Sequence, residues 1–298
     1  MNLWKRLLIA PYYYSTYPVR RWSNARAELA GRAPVMAVYY HRVADDAANS
    51  WTVSFDAFRR HVAWIGRHFD LVSLEEAQRR IAAPRNGRAA VAITFDDGYA
   101  ENCDDALPWL VEQQIPCTYF VTTGNALDGR PFLHDVAMGN RFPPNTLGQL
   151  RELAAAGIEI GGHTRTHADL GAVRDLDTLH DEVVVAGGDL SQAIGQAVRY
   201  FAFPFGLHEN LHPEAFRMAR EAGYRGVCSA YGGYNHPGDD PFHIQRVGGE
   251  GPLIRLKNWL TVDPFKARAV ERYDVGRAAD TATRQLEGAM ASSEVGSP

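Results

Sequence analysis

Short apolar runs alternate with longer amphipathic segments along most of this 298-residue chain. Runs rich in branched apolar residues are typical of buried strands, while apolar residues spaced three and four apart indicate helices. Strands that alternate with helices imply a parallel sheet, and the number of runs fits closure of that sheet into a barrel. The predicted fold class is therefore α/β. The strands are predicted at 35–40, 91–95, 117–121, 158–160, 200–203, 226–229 and 243–247.

The helix pattern is clearest between residues 54 and 69, where Ser54 is a suitable N-cap. His61 and His68 fall outside the expected buried stripe of this helix, and both are predicted to lie on the surface, as is His180 in a helix at 175–194. The connection at 122–146 contains several Gly and Pro residues and is predicted to be an irregular loop, of a length that is often functional. The buried stripe of the helix at 54–69 is predicted to consist of Phe55, Phe58, Val62, Ile65 and Phe69.

Two of the predicted strands end in polar residues. Asp96 and Asp97 follow the strand at 91–95, and His163 and His167 follow the strand at 158–160. An unpaired buried carboxylate is costly, so two adjacent ones need an explanation. A turn in which they cap the next helix is the alternative to a chemical role. Two imidazoles and a carboxylate at strand ends are typical of a metal site with open positions. Barrel enzymes place their sites at that end of the strands.

Three ordered motifs together resemble the polysaccharide deacetylases of the NodB-homology type, carbohydrate esterase family 4. The motifs are TFDDG at 94–98, HTRTH at 163–167 and FAFPFG at 201–206, and the resemblance extends over about residues 34–250. It implies a distorted parallel (β/α) barrel that forms a single catalytic domain. We expect this domain to span 34–262, between an N-terminal arm at 1–33 and a C-terminal helical segment with a disordered tail at 263–298.

The resemblance also implies an activity and a cofactor. The expected protein is a metal-dependent hydrolase that removes N-acetyl groups from an N-acetylated polysaccharide or oligosaccharide, such as an exopolysaccharide or a cell-wall glycan. Asp97, His163 and His167 would hold the metal. Zn²⁺ is the expected ion, with Ni²⁺ or Co²⁺ as alternatives.

Further residues acquire roles by the same resemblance. Asp96 would be the general base, and the backbone N–H of Phe205 would donate to the developing oxyanion. Independently of the resemblance, His134 and Asp135 lie in the long connection and could reach the substrate, although a local turn pairing is favoured. We expect additional substrate contacts from Phe203, Pro204 and Tyr234.

The sequence departs from the family pattern at two places. Ala202 occupies the third-motif position at which many members carry an arginine that braces the base. Arg246 is the candidate replacement, with a surface salt bridge as its alternative role. The C-terminal L-x-H motif is absent, but Tyr40-His41 resembles the Tyr-His of the permuted poly-N-acetylglucosamine deacetylase branch. His41 is therefore the expected general acid, and His243 is the competing candidate.

Composition excludes some classes of protein. The net charge is −4 and no basic patch interleaved with aromatic residues is present, so nucleic-acid binding is not expected. Three cysteines without CxxC spacing are predicted to lie in or near the core. A non-haem iron oxygenase is disfavoured because the carboxylate lies far upstream of the histidines and beside a second carboxylate. A catalytically silent sugar-binding barrel stays an alternative because of the two departures.

Residues 1–22 mix aromatic and basic side chains. Pro11 ends the apolar run at 7–10 before it reaches the length of a signal-peptide core, and no stretch has the ~20 apolar residues of a spanning helix. This mixture suits a membrane interface or a partner groove, with packing on the chain's own barrel as the alternative. The expected location is the cytoplasm or the periphery of the inner membrane face.

Overall fold

The strands of the barrel are short and mostly buried. The computed structural model describes residues 3–265, 271–276 and 278. Its strands are β1 Val35–Tyr40, β2 Arg42–Val43, β3 Thr52–Val53, β4 Asp70–Val72, β5 Ala90–Phe95, β6 Cys117–Val121, β7 Glu159–Gly162, β8 Tyr200–Ala202, β9 Gly226–Cys228, β10 His243–Ile244 and β11 Arg246–Gly248.

The pairing of these strands nearly closes a parallel barrel. The order in the main sheet is β10-β9-β8-β7-β6-β5-β1-β11, with β4 added beside β5. The prediction of one strand at 243–247 is wrong, because Gln245 separates β10, which pairs with β9, from β11, which pairs with β1. These two strands lie at opposite ends of the order, so the chain itself crosses the closure of the barrel. The predicted α/β barrel is confirmed.

Helices surround the sheet on the connections between strands. Residues 181–185 form a π-helical turn that joins two α-helices into one continuous segment, in agreement with the helix predicted at 175–194. The helices are α1 Leu3–Leu29, α2 Phe55–His68, α3 Leu74–Ala82, α4 Ala106–Glu112, α5 Thr123–Asp128, α6 Leu133–Ala137, α7 Leu147–Ala155, α8 Leu176–His180, α9 Ala186–Ile194, α10 Pro213–Glu221 and α11 Leu253–Leu260.

Three segments outside the strands of the barrel were also predicted from the sequence. The N-terminal arm is mostly helical, since α1 occupies it and packs against α11. The prediction of an irregular loop at 122–146 is wrong because α5 and α6 lie within it; both are too short to produce a periodic apolar pattern. Most of the predicted C-terminal helical segment and tail at 263–298 lies outside the described residues.

The core confirms most of the predicted stripe of α2 and corrects one residue. Ser54 caps the helix as predicted, with its hydroxyl accepting from the Ala57 N–H. His61 is buried, so its surface prediction is wrong: it lies three residues after Phe58 and four before Ile65, on the same helix face. Its Nδ1 is 3.3 Å from the Tyr40 hydroxyl, and burial lowers the pKa of His61 to about 4.

Other surface and core predictions agree with the structure. His68 and His180 are exposed, whereas Phe55 and Phe69, at the two ends of the α2 stripe, are only half-buried. All three thiols are free. Cys117 and Cys228 are buried in the core, and Cys103 lies partly buried beside it.

A close contact links α9 to the segment after α10. The Tyr224 hydroxyl donates to the Val183 carbonyl at 2.8 Å, directly above the Cα of Gly187. A Cβ at residue 187 would overlap this hydroxyl, whereas a Cβ at Gly188 has no neighbour within 4 Å. A side chain is therefore excluded at residue 187 but has room at residue 188.

We expect Gly187→Ala to lower the free energy of unfolding by about 1–3 kcal/mol, because it overpacks a buried contact. The matched control, Gly188→Ala, should raise it by about 0.5–1 kcal/mol, because alanine favours the helix more than glycine does. Urea unfolding of both variants measures the difference. An equal or higher unfolding midpoint for Gly187→Ala than for Gly188→Ala would contradict the packing described.

Candidate active site

A cavity of about 300 Å³ opens at the carboxyl ends of β1, β5, β7 and β8. It brings together most of the residues that the motifs singled out, although they come from four separate stretches of the sequence. Its walls carry both acidic and imidazole side chains among apolar ones. The lining residues are Tyr39, His41, Trp51, Asp96, Asp97, His134, His163, His167, Phe203, Phe205, Leu207 and Ala230.

The backbone around this cavity is strained at several non-glycine positions. Asp97, Thr164, His167 and Phe205 have φ values between 60° and 72°, in the left-handed region. Each such residue costs on the order of 1–3 kcal/mol, and such strain is concentrated at functional sites. At Asp97 the left-handed turn has a direct consequence. Successive strand residues point to opposite faces, yet both Asp96 and Asp97 reach the cavity because the chain turns between them.

Asp97, His163 and His167 form a compact cluster. The Nε2 atoms of His163 and His167 lie 3.3 Å and 3.2 Å from the same Asp97 oxygen, Oδ1. Their candidate ligand atoms all lie within 4.8 Å of one another, and no other group of this kind was found among the described residues. Burial by itself would raise the pKa of Asp97, but the two imidazoles hold that pKa well below its usual range.

The donor set fits a divalent metal ion. Asp97 Oδ1 is buried and accepts no hydrogen bond within the described part of the chain. His163 Nδ1 lies 2.8 Å from the Ala202 carbonyl, which can only accept, so Nδ1 is the donor there and Nε2 is the nitrogen that faces Asp97. A fixed tautomer with the second nitrogen bonded to a carbonyl is typical of metal-ligating histidines. Imidazole and carboxylate ligands suit Zn²⁺, Ni²⁺ and Co²⁺.

Asp96 forms a two-point ion pair with Arg246. Nη1 and Nη2 of the guanidinium donate to the two Asp96 carboxylate oxygens at 2.6 Å and 2.8 Å. Further donations reach the Thr94 hydroxyl and the Ser229 carbonyl. Arg246 is fully buried, so the alternative of a surface salt bridge is wrong. Its guanidinium contacts Asp96, as a replacement for the arginine absent at residue 202 would.

His41 forms a second ionic pair on the other side of the cavity. Its Nδ1 lies 2.7 Å from Glu250 Oε1, and the His41 side chain stays 25% exposed. Burial alone would lower the pKa of His41, but the charge and hydrogen bond of Glu250 raise it to about 9. His41 is therefore protonated at neutral pH. Glu250 was not identified from the sequence, since it follows β11 in an irregular segment and meets His41 only because β11 pairs with β1.

The third motif contributes backbone and apolar surface. The Phe205 N–H makes no hydrogen bond within the described residues, and the side chain, 55% exposed, packs edge-on against His167 at 5.0 Å. Phe203 lines the cavity from a buried position. Pro204 is buried and does not line the cavity, so its predicted substrate contact is not supported.

Two other candidates lie away from the cavity. Tyr234 donates to the Trp259 carbonyl at 2.8 Å, and the next residue, Asn235, bridges to Val35 at the start of β1, the opposite end of the barrel. The predicted substrate contact of Tyr234 is therefore wrong. His243 is buried against the Ser229 hydroxyl at 2.8 Å and does not line the cavity. Burial lowers the pKa of His243 to about 3, which makes it poorly suited to act as the general acid.

A polar network beside the cavity was not predicted. The Tyr99 hydroxyl donates to Asp135 at 2.6 Å and accepts from the Trp51 indole N–H at 3.0 Å. His134 Nε2 lies 2.9 Å from the same hydroxyl and must be the donor there, because the tyrosine proton is already used. His134 thus lines the cavity with its ring 5.0 Å from His167. The Asp135 carboxylate accepts from Tyr99 and Asn49, both distant in sequence, and not from the local turn that was favoured. The length of the 122–146 connection was the available signal.

Comparison with known proteins agrees with this geometry. Residues 83–227 match the family model described as polysaccharide deacetylase. A chitooligosaccharide deacetylase of Bradyrhizobium is 32% identical over 133 residues, which are 44% of this chain and 52% of that protein. The match therefore spans only about half the length of this relative.

Solved structures share the fold at lower sequence identity. The structure of IcaB from Ammonifex degensii has a TM-score of 0.62 and 22% identity, and the match covers 77% of this chain and 98% of that one. The Streptococcus pyogenes deacetylase PplD, solved with acetate, has a TM-score of 0.60 and 20% identity, with 73% and 92% covered. The matched domain, the sequence relatives and the ordered motifs thus agree that residues 83–227 are similar to the polysaccharide deacetylase family.

Proposed function

We propose that this protein is a metal-dependent deacetylase that removes N-acetyl groups from an N-acetylated polysaccharide or oligosaccharide. One observation carries the proposal: a carboxylate braced by a buried arginine, Asp96, lies in the same cavity as the Asp97–His163–His167 cluster. The names of the relatives give independent support, since they include a chitooligosaccharide deacetylase.

Hydrolysis of an acetamide needs a nucleophile, an oxyanion donor and a proton for the leaving amine. A divalent ion held by Asp97, His163 and His167, with Zn²⁺ expected and Ni²⁺ or Co²⁺ as alternatives, would supply a water of lowered pKa and polarise the acetyl carbonyl. Asp96 would accept the proton of the attacking water as general base. Arg246 fixes the orientation of that carboxylate through two charge-assisted hydrogen bonds.

The oxyanion and the leaving group would be served by two other elements. The free N–H of Phe205 is available to donate to the developing oxyanion. His41 would protonate the leaving amine, and Glu250 keeps it in the protonated form that this step needs. The base and the acid are thus each held by an oppositely charged partner.

The shape of the cavity supports a glycan substrate. Trp51, Phe203 and Leu207 give it apolar walls around a few convergent polar groups, which is usual for small-molecule sites. A second cavity of about 340 Å³ shares His134, His167 and Phe205 with it, and leaves room for sugars that continue beyond the acetylated one. This continuation favours an oligosaccharide or polysaccharide over a monosaccharide.

The alternative functions are less well supported. A catalytically silent sugar-binding barrel would not need a base braced on two oxygens or an acid held protonated. An iron oxygenase would have no use for Asp96 beside the metal cluster. Deacetylation accounts for all of these groups.

We expect the wild-type protein to release acetate from N-acetylglucosamine oligomers after reconstitution with Zn²⁺. Asp96→Asn should keep stoichiometric metal but lose about 10²–10⁴-fold in rate, because it removes only the base. His163→Ala should lose both metal and activity. Acetate release and metal content, measured by elemental analysis, test both variants.

Two outcomes would contradict these assignments. No acetate from any acetylated glycan in a panel with each of the three metals would reject the proposed activity. Stoichiometric metal in both His163→Ala and His167→Ala would reject the ligand set. His180→Ala, an exposed histidine on α8, is the matched control and should change neither metal content nor rate.

The acid assignment predicts a selective defect in His41→Asn. An amine leaving group must be protonated, whereas an aryl acetate expels a phenolate with much less help. The variant should therefore lose deacetylation of N-acetyl sugars but retain much of its hydrolysis of an aryl acetate. His243→Asn is the control and should spare the ratio of the two rates. Equal slowing of both substrates by His41→Asn would show that His41 is not the acid.

The Glu250 contact predicts a shift in the pH profile. Activity requires protonated His41, so the rate falls as pH rises through the pKa of His41, about 9 with Glu250 in place. In Glu250→Gln burial is no longer offset by this carboxylate, and the alkaline limb of kcat/KM should move down from about 9 toward the ordinary histidine pKa of 6.5. Glu221→Gln, on the surface of α10, should leave the profile unchanged. An unmoved limb in Glu250→Gln would contradict the assignment.

A further inference from the structure

Helix α1 buries its polar side against the barrel. Arg20 is fully buried, with donations to the Thr261 carbonyl at 2.9 Å and to the Asp263 carboxylate at 3.0 Å. The Tyr12 hydroxyl donates to the same carboxylate at 2.6 Å, and Tyr13 is buried beside Thr261. Several of the aromatic residues expected at a membrane interface therefore face the protein instead.

The outer side of α1 exposes a row of apolar side chains, with Ser15, Arg21 and Arg26 also exposed. Leu8, Trp22 and Leu29 are 65%, 64% and 86% exposed. A surface helix of a globular protein normally has the reverse arrangement, with its apolar stripe turned to the core. The exposed apolar positions recur at helical spacing over about 30 Å of helix, from one end of the described side chains to the other. They are Leu8, Pro11, Tyr14, Pro18, Val19, Trp22, Ala25 and Leu29.

The surroundings of this apolar face are basic. Residues 1–33 contain six Lys and Arg and one Glu, although the whole chain has a net charge of −4. Arg21 of α1 and Arg67 of α2 line a cavity of about 370 Å³ between the two helices, and neither forms an ion pair within the described residues. The acidic residue in this cavity, Glu28, accepts a hydrogen bond from the Ala89 N–H.

We propose that the outer face of α1, together with Arg21 and Arg67, binds the surface of an anionic phospholipid bilayer. The helix would lie in the plane of the interface, with Trp22 and Leu29 at the boundary between the acyl chains and the headgroups. The two arginines would contact lipid phosphates. None of the described helices combines the length and the apolar character of a membrane-spanning segment.

Charge favours a bilayer over a second copy of this chain. A symmetric dimer through α1 would bring Arg21 and Arg26 of both copies into one interface, where like charges repel. An anionic surface instead neutralises them. Arg26 already lies over the exposed Trp22 ring at 5.5 Å, so the apolar and basic parts of the surface are continuous.

The geometry also fixes which end of the barrel would face the lipid. Pro34, Phe69 and Ala89 line the cavity of Arg21 and directly precede β1, β4 and β5. This cavity is therefore at the amino ends of the strands, opposite the cavity that holds Asp96. The bound protein would present its catalytic opening to the aqueous side.

Co-sedimentation with vesicles tests the proposal on the full chain. Vesicles of phosphatidylcholine with an equal share of phosphatidylglycerol should bind the protein, and phosphatidylcholine alone should bind it weakly. Trp22→Ser with Leu29→Ser should reduce affinity about tenfold or more, because both side chains leave the apolar phase. Arg21→Gln with Arg67→Gln should reduce it about fivefold per arginine, and only on the anionic vesicles.

The controls alter comparable side chains elsewhere. Leu176→Ser changes an exposed leucine of α8, and Arg59→Gln changes an α2 arginine packed over Trp109. Both should bind as wild type, and unchanged thermal midpoints should show that all variants fold. Absence of wild-type binding to anionic vesicles, or binding that neither double variant weakens, would overturn the proposal. The proposal would also be overturned if the wild-type protein formed a dimer that does not bind vesicles, and if the Trp22→Ser, Leu29→Ser variant were monomeric.

Discussion

The buried ion pair between Arg246 and Asp96 is the interaction on which the site depends. It joins β11, the strand that closes the barrel, to the end of β5 across β1. Burial of two charges costs several kcal/mol per ion, on the order of what good geometry regains. Here that geometry includes donations to the Thr94 hydroxyl and the Ser229 carbonyl, and the rings of Tyr39 and Phe120 lie about 5 Å from the guanidinium. A pair this well satisfied fixes one orientation of the carboxylate.

A similar division of charge organises the rest of the cavity. Glu250 holds His41 protonated, and Arg246 holds the Asp96 carboxylate through two hydrogen bonds, so each of these groups has an oppositely charged partner. A reaction that takes a proton from one group and gives a proton to another needs an acid and a base in separate environments of this kind. The left-handed residues after the strands, such as Asp97 and Phe205, bring these groups together, and the sheet supports their strain.

The sequence predicted the parts of the site that local patterns encode. Strand ends that run into carboxylates or histidines were recognisable, and Arg246 was a candidate because it lies in a predicted terminal strand. Glu250 was missed because its contact with His41 depends on barrel closure, which no local pattern reports. Tyr234 was misassigned for a related reason: a loop rich in Gly and Tyr does not indicate which end of the barrel it occupies. His61 was misplaced because its buried partner, Tyr40, comes from another element.

The proposed acid, His41, and the arginine that braces the proposed base come from the two ends of the barrel sequence. His41 follows β1 and Arg246 begins β11, both outside the matched region at 83–227, yet these strands are neighbours in the sheet. The closing strand continues into α11, and the segment after α11 is held by Arg20 of α1. The helix whose outer face exposes apolar side chains therefore uses its inner face to secure the chain that carries Arg246. Tyr12 and Arg20 are needed on the inner face of this helix for that contact, while Leu8, Trp22 and Leu29 lie on its outer face.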